Sequence, residues 1–380
     1  MKKTLKLSLL SLGFLMISLN YSNAQVNSVP KFSHIVVVIG ENTSASNVFG
    51  NANAPFINSL AAQGAKFTSS FGVFHPSQPN YLALYSGGNQ GIINDNLIAT
   101  KFSTANLGRE LIDAGKTFIT YSEDLPSVGF DGKTNLKYAR KHNPAANWMG
   151  TGTNKVPSNT NQPFTAFPTN FNNLPSVSFV VPNLCNDGHD SCAPLSNGTK
   201  QYDTWIKNNL DTYKKWCILN NSLLIVTYDE DDFTTVNKIA TVIYGAKVAV
   251  GTNTQIINHY SVLRTIEDAF NIPTHAGAAS TATAISCWTA GAAKFSDTNN
   301  TKIEADNKFV LSPNPVNGSE ITVQGIEDHV AYEISNLMGR KMSNGTLENQ
   351  KISIDSLPKG IYVIQFFSND KVLNKTFVKN

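Results

Sequence analysis

Residues 34–42, His34-Ile35-Val36-Val37-Val38-Ile39-Gly40-Glu41-Asn42, form an apolar run that stops abruptly on an acid. Two later stretches repeat the arrangement. Val177–Val181 runs into Pro182-Asn183-Leu184-Cys185-Asn186-Asp187-Gly188-His189-Asp190, and Leu223–Tyr228 runs into Asp229-Glu230-Asp231-Asp232. Short runs rich in Val and Ile read as strands buried on both faces. In open α/β sheets, ligands collect where such strands end at their carboxyl edge. Carboxylates buried there need a cation or a proton to compensate them. Three such ends in one chain predict a metal-dependent site.

Outward from these runs, further strands are expected at Thr117–Tyr121 and Ile239–Tyr244. Helical patterns cover Ala54–Gln63, Pro79–Tyr85, Leu107–Asp113, Thr204–Lys215 and Ser261–Phe270. Strand and helix alternate, which predicts an α/β fold: a largely parallel central sheet with helices on both faces, over residues 25–293. Asn147–Asn173, rich in Asn, Thr, Pro and Gly, reads as a long surface excursion. A polar linker follows at 294–307. Residues 308–380 then show short alternating segments at Glu320–Gln324, Ala331–Ser335, Lys351–Ile354, Ile361–Phe367 and Lys371–Val378. Turn residues such as Asn317-Gly318 and Asn344-Gly345 separate them, which predicts a small C-terminal β-sandwich.

The bulk numbers exclude little. With 380 residues, 41% hydrophobic and 15% charged, the chain is globular with a sizeable core. A net charge of +3 gives no case for nucleic acid or an anionic membrane as partner. The N-terminus says more. Lys2, Lys3 and Lys6 precede the apolar run Leu7–Leu19, and small residues lead to Ala24. That pattern is a secretory signal at 1–24, too short in its apolar part for a stable membrane span. An exported chain meets oxidising conditions. Cys185 and Cys192 bracket the loop of Asp187 and His189, where a bridge would staple it; Cys217 and Cys287 either pair or stay buried as thiols.

Ser77, in His75-Pro76-Ser77-Gln78-Pro79-Asn80-Tyr81, stands at the expected N-cap of a helix that Gly87-Gly88 ends. A hydroxyl there faces free N–H groups suited to phosphate, and a nearby cation would make it a nucleophile. An ordinary capping serine is the plain alternative. Asp229 and Glu230 follow a central strand without spacer, as Glu41-Asn42 do, so they read as ligands rather than a solvated acidic run. An all-oxygen set favours a hard cation, Mg²⁺, Ca²⁺ or Mn²⁺, with Zn²⁺ also open. Among the histidines, His142, His189 and His259 fall near strand or helix ends; His34, His275 and His329 read as surface or loop residues, and His75 as a turn residue beside Pro76.

Taken together, HIVVVIGENTSASNVFG, HPSQPNYLALYSGG, ARKHNPAANW, VPNLCNDGHDSC, LLIVTYDEDD and NHYSVLRTIEDAF resemble the phosphoesterase family. That family holds acid phosphatases and phosphocholine-preferring phospholipases C within the alkaline-phosphatase-like superfamily. The resemblance implies a metal held by Glu41, Asn42, Asp229 and Glu230, touched by Ser77 as nucleophile. It implies phosphate binding or leaving-group protonation by His142, Asp187, His189 and His259. Two-metal relatives carry Asp and His four residues apart after the middle strand; Asn183 and Asp187 stand at that spacing, which favours one divalent ion. Sulfatases carry arginine where this chain has Tyr81, which disfavours them. The C-terminal LSPNPVNG, YEISNLMGR and LPKGIYVIQF resemble the sorting domain of the type IX secretion system.

The function these readings imply is a secreted or cell-surface, metal-dependent hydrolase of small phosphate esters. A phosphomonoesterase of the acid phosphatase type is favoured, because no lipid-binding extension stands out. A phospholipase C-type phosphodiesterase and a non-catalytic surface binding protein are the alternatives. The partners implied are the substrate and the secretion machinery, with no nucleic acid and no stable membrane insertion.

Overall fold

The computed structural model describes residues 28–289, 309–336, 341–368 and 371–380. The expected signal segment 1–24 and linker 294–307 lie outside the described residues. Strands β1 (His34–Gly40), β2 (Ala65–Phe71), β3 (Phe118–Ser122), β6 (Asn161–Pro163), β7 (Val177–Val181), β8 (Ser222–Tyr228), β9 (Lys238–Gly245), β10 (Gly251–Asn253) and β11 (Ile257–Asn258) form one nine-stranded sheet. A separate two-stranded hairpin pairs β4 (Thr134–Asn135) with β5 (Tyr138–Ala139). Through the large sheet the order is β10-β2-β9-β8-β1-β7-β3-β6, with β11 also on β2. Pairing is parallel except at β9, which runs antiparallel to both β8 and β2.

The alternation within β1 shows why the sheet is covered on both sides. Ile35, Val37 and Ile39 point into one core, with α2 (Ser77–Ser86), α3 (Leu107–Asp113) and α5 (His259–Ala269). Val36 and Val38 point into the other, with α1 (Pro55–Gln63) and α4 (Gly198–Cys217). A run apolar at every position is what such a doubly covered strand requires. The expected α/β architecture is therefore the observed one.

The structure adds to, corrects or decides the sequence reading at three points. β2 was not foreseen, because Ala65-Lys66-Phe67-Thr68-Ser69-Ser70-Phe71 has neither an unbroken apolar run nor clean alternation. The Asn147–Asn173 stretch is not merely a surface excursion: Trp148 and Val156 are fully buried in the first core. Its asparagines serve that burial, as Asn161 Nδ2 donates to Phe130 O and Asn143 Nδ2 to Asn161 Oδ1. Cys217 and Cys287 do not pair; each is a buried thiol, and they lie in the cores on opposite faces of the sheet. The Cys185–Cys192 bridge is present.

Helix α2 is buried along its whole length, so its end must be shaped by close contact. Gly87 closes it at φ 69°, and a Cβ there would lie 2.0 Å from Ala276 O. Gly87→Ala is expected to destabilise the protein by at least about 2 kcal/mol, read as a lower urea midpoint with unchanged slope.

The C-terminal residues form two antiparallel sheets. One holds β12 (Val310–Ser312), β13 (Glu320–Gln324) and β16 (Lys351–Ser353). The other holds β14 (Ala331–Asn336), β15 (Lys341–Thr346), β17 (Gly360–Ser368) and β18 (Lys371–Lys379). Ile321, Val323, Ile334, Ile352, Ile364 and Phe377 share one core between them, the expected small sandwich. Among the described residues, no helix is long and apolar enough to cross a membrane.

Candidate active site

The parallel register of β1 and β8 pairs Gly40 with Tyr228, so the residues that follow, Glu41 and Asp229, emerge side by side. Backbone bonds fix them: Asp229 N–H donates to Gly40 O at 3.0 Å and Thr43 N–H to Glu230 O at 3.1 Å. Asn42 N–H donates to Asp229 Oδ1 at 3.0 Å. The loop after β7 joins the same edge, with Glu41 N–H donating to Asp187 O at 2.8 Å. Gly40 has no room for a side chain, since a Cβ would meet the rings of Tyr202 and Tyr228 at 2.7 Å.

Ser77 comes to this edge on α2. The loop before it is pinned by Asn80, whose Oδ1 accepts from Val73 and Phe74 N–H, both at 2.9 Å. Ser77 is the first helical residue rather than the cap, and its hydroxyl makes no capping bond. Asp95 caps instead, accepting from Gln78 N–H at 2.9 Å. Ser77 Oγ is turned to Glu41 Oε2 at 2.9 Å, Asn42 Oδ1 at 3.1 Å and Glu230 Oε1 at 3.1 Å. One hydroxyl proton cannot satisfy three acceptors.

A second group adjoins through the other oxygen of Glu41. His142 Nε2 lies 3.0 Å from Glu41 Oε1, and His142 Nδ1 lies 3.8 Å from Asp187 Oδ2. Despite that approach, Glu41 Oε1, His142 Nε2 and Asp187 Oδ2 all lack a hydrogen bond of proper geometry, as does Asp229 Oδ2. Glu41, His142 and Asp187 are a buried trio whose ligand atoms lie within 4.8 Å of one another. His259 Nε2 approaches Asp229 O at 2.5 Å, with Nδ1 unpartnered. His189 does not join them: its side chain is 51% exposed and turned to Asp190. Asn183 also faces away, donating to Asp124 Oδ2 at 2.8 Å.

Burial drives the clustered carboxylates and the two buried histidines toward neutrality. It raises Asp229 to about 8, with Glu230's charge adding to the effect. It raises Glu41, where Asp229 adds, and Asp187, where Glu41 adds. Glu230 is raised by burial against the pull of His75. His142 is pushed well below its ordinary value and His259 down to about 4. Four carboxylates crowded together are untenable as anions without a cation. The residues fit one. One end of the Asn42 amide meets only oxygens, Glu230 Oε1 at 3.0 Å, Glu41 Oε2 at 3.2 Å and Ser77 Oγ at 3.1 Å: as Nδ2 it would donate to them, and as Oδ1 it completes an all-oxygen ligand set. Ligand oxygens about 3 Å apart are the edges of an octahedron around a small hard cation.

Five residues had escaped notice or been discounted. Tyr81 lies one turn beyond Ser77 on the same helix face, stacks on His142 at 5.0 Å, and buries its hydroxyl beside the Glu41 carboxylate without a well-formed hydrogen bond. Asp95 and Lys141 form an ion pair at 2.8 Å beside the helix start. His75 is more than a turn residue: Nδ1 binds Glu230 Oε2, and Nε2 contacts Thr234 O at 3.0 Å. His75→Ala is expected to weaken divalent-cation affinity about 10- to 100-fold in a calorimetric titration, because Glu230 loses its orienting partner. His275, read as a partnerless loop residue, pairs with Asp268 Oδ1 at 2.9 Å.

An acid-lined sheet edge with a serine turned into it suits transfer of a phosphoryl group. Residues 49–273 match the family model for the Phosphoesterase family, and residues 311–380 match the secretion system C-terminal sorting domain. The chain belongs to the phosphoesterase family and is a hydrolase acting on phosphate esters. The family match includes Ser77, His142, Asp187, Asp229, Glu230 and His259, and begins after Glu41 and Asn42. The chain is 45% identical over 249 residues to a phosphatidylinositol-3-phosphatase of Mycobacterium tuberculosis, covering 65% of this chain and 80% of that one. It is 31% identical over 228 residues to an acid phosphatase of Aspergillus fumigatus, covering 56% of this chain and 50% of that one. A solved protein of the alkaline phosphatase superfamily from Vibrio parahaemolyticus aligns over 92% of this chain and 83% of its own, with a TM-score of 0.48 and 11% identity. The sorting domain implies secretion or a place at the cell surface.

Proposed function

We propose that this chain is a secreted phosphomonoesterase in which Ser77 is the nucleophile and Glu41, Asn42, Asp229, Glu230 and Ser77 hold one divalent cation. The observation that carries this reading is the Ser77 hydroxyl, turned off its own helix amides and within 3.1 Å of two carboxylate oxygens and the Asn42 amide. A serine kept only to cap a helix would face the other way. When bound, the cation neutralises the carboxylates, lowers the pKa of the serine hydroxyl and offsets charge on the phosphoryl group.

The chain's own groups supply the rest. Ser77 Oγ, its proton released to solvent, attacks phosphorus in line as the bond to the leaving alcohol breaks. Neutral His142, held flat against Tyr81, donates its single N–H within the pocket. His259 uses Nε2–H on the Asp229 carbonyl, which suits it to holding that carboxylate's backbone in place. The departing alkoxide takes a proton from solvent at the rim, where His189 stands exposed. Water then cleaves the phosphoserine and frees phosphate.

The catalytic unit is assigned to 25–293, joined through a linker at 294–307 to the sorting domain at 308–380. Export begins with the signal at 1–24 and is completed by passage across the outer membrane. Chromogenic phosphate monoester, diester and phosphocholine ester, assayed with and without chelator, test the reading. Monoester turnover that chelation abolishes and a divalent salt restores is expected. Preference for the diester would replace it with phosphodiesterase chemistry, and no turnover would favour the binding protein.

A further inference from the structure

Beside the start of α2 lies a cavity of about 260 Å³ that the steps above leave unused. Its walls include Gln78, which follows the nucleophile, Lys141, which precedes His142, and Leu184, on the loop leading to Asp187. Asp95, Leu97, Lys133 and Arg140 are also in its walls, with Arg140 Nη1 already paired to Asp131 Oδ1 at 2.8 Å. Three lining residues are thus tied through the backbone to the phosphoryl site. The cavity thus adjoins the helix start that carries Ser77.

Its charge is lopsided. Asp95 is matched on both oxygens, Oδ1 by the Gln78 N–H at 2.9 Å and Oδ2 by Lys141 Nζ at 2.8 Å. Burial opposes the charge on Lys141, yet Glu41 and Asp95 together hold it above its ordinary value, so it stays a cation tied to the site. Lys133 differs: it is exposed, and no ion pair forms on it among the described residues. Leu97 and Leu184 offer carbon surface between. The combination suits a compact carbon skeleton, about one ring in size, bearing a negative group at its far end.

We propose that this cavity is the subsite for the leaving alcohol and that it selects alcohols carrying a second anionic group, which Lys133 receives. The inference rests on the phosphomonoesterase reading. A second phosphate could belong to a soluble polyol or to a lipid headgroup, and the chemistry at Lys133 is the same.

The test uses the full-length, metal-loaded enzyme. Inositol 3-phosphate and inositol 1,3-bisphosphate share one ring and differ by the second anion. Wild type is expected to favour the bisphosphate about tenfold in kcat/KM, the effect of one charge-assisted contact. Lys133→Ala should remove that preference without changing the monophosphate rate, and Lys133→Arg should retain it. Equal wild-type rates, or an equal loss on both esters, would overturn the proposal. The same headgroup is also assayed as phosphatidylinositol 3-phosphate in phosphatidylcholine vesicles. A Lys133 effect seen with the free bisphosphate supports recognition of the second phosphate, with the vesicle rate then reporting whether lipid is also taken. An effect confined to vesicles would mean attraction to membrane charge and contradict the proposal. Calorimetric binding of inositol 1-phosphate to the Ser77→Ala protein reads the cavity without turnover. If no ester is hydrolysed, the phosphatase reading falls, while Lys133-dependent binding keeps the subsite and its absence removes it.

Discussion

Ser77→Ala is expected to lower kcat on phosphate monoesters by on the order of 10⁴-fold or more, since removing a covalent nucleophile leaves only binding and electrostatics. The fold should survive. Alanine suits the first turn of a helix, Asp95 rather than Ser77 caps α2, and Ser77 makes no bond that closes the loop before it. An unchanged circular dichroism spectrum and urea midpoint alongside lost turnover would separate chemistry from collapse. Cation affinity should also fall, because one oxygen of the set has gone. Turnover within a few-fold of wild type would remove Ser77 from the mechanism.

The second large effect concerns pH and metal. Asp229 is raised from 3.8 to about 8, with Glu41, Asp187 and Glu230 raised as well, all by burial first. In cation-free protein, the folded state therefore keeps protons that the unfolded chain has released. Stability from this cluster is full below the ordinary carboxylate range and is lost as pH rises through about 8. Adding cation should reverse the slope, because ligands must be deprotonated to bind and binding stabilises the fold. Tm measured from acid to mildly alkaline pH, with chelator and with divalent salt, checks the sign. Asp229→Asn should flatten the chelated curve. A chelated protein that grows steadily more stable across that range would contradict the cluster as described.

What the sequence disclosed follows from how strongly each feature is written locally. β1, β7 and β8 are apolar at successive positions because both faces are covered, so they and their acidic ends stand out. The adjacency of Glu41 and Asp229 needed the register that pairs Gly40 with Tyr228, yet the shared pattern pointed to it. β2 carries Lys66, Thr68 and Ser69 on a half-buried edge region, where tertiary pairing with β9 overrides a weak local signal. Ser77 was legible as a helix start; that its hydroxyl faces away from the helix was not. His75 and Glu230 are 155 positions apart, and no spacing rule joins them. Tyr81 was noticed only as the residue replacing a sulfatase arginine, although its four-residue offset from Ser77 placed it on the same face. His189 was grouped with Asp187 because they are neighbours in the chain, but two residues of a tight loop point in different directions.

The central claim is that one cation is shared by Ser77 and carboxylates from β1 and β8. Crystals of the full chain grown with Mn²⁺ and measured for anomalous scattering test it directly. The account expects a peak within bonding distance of Ser77 Oγ, Glu41, Asn42 and the Asp229-Glu230 pair. A peak held only by Glu41, His142 and Asp187, with Ser77 remote from it, would contradict it.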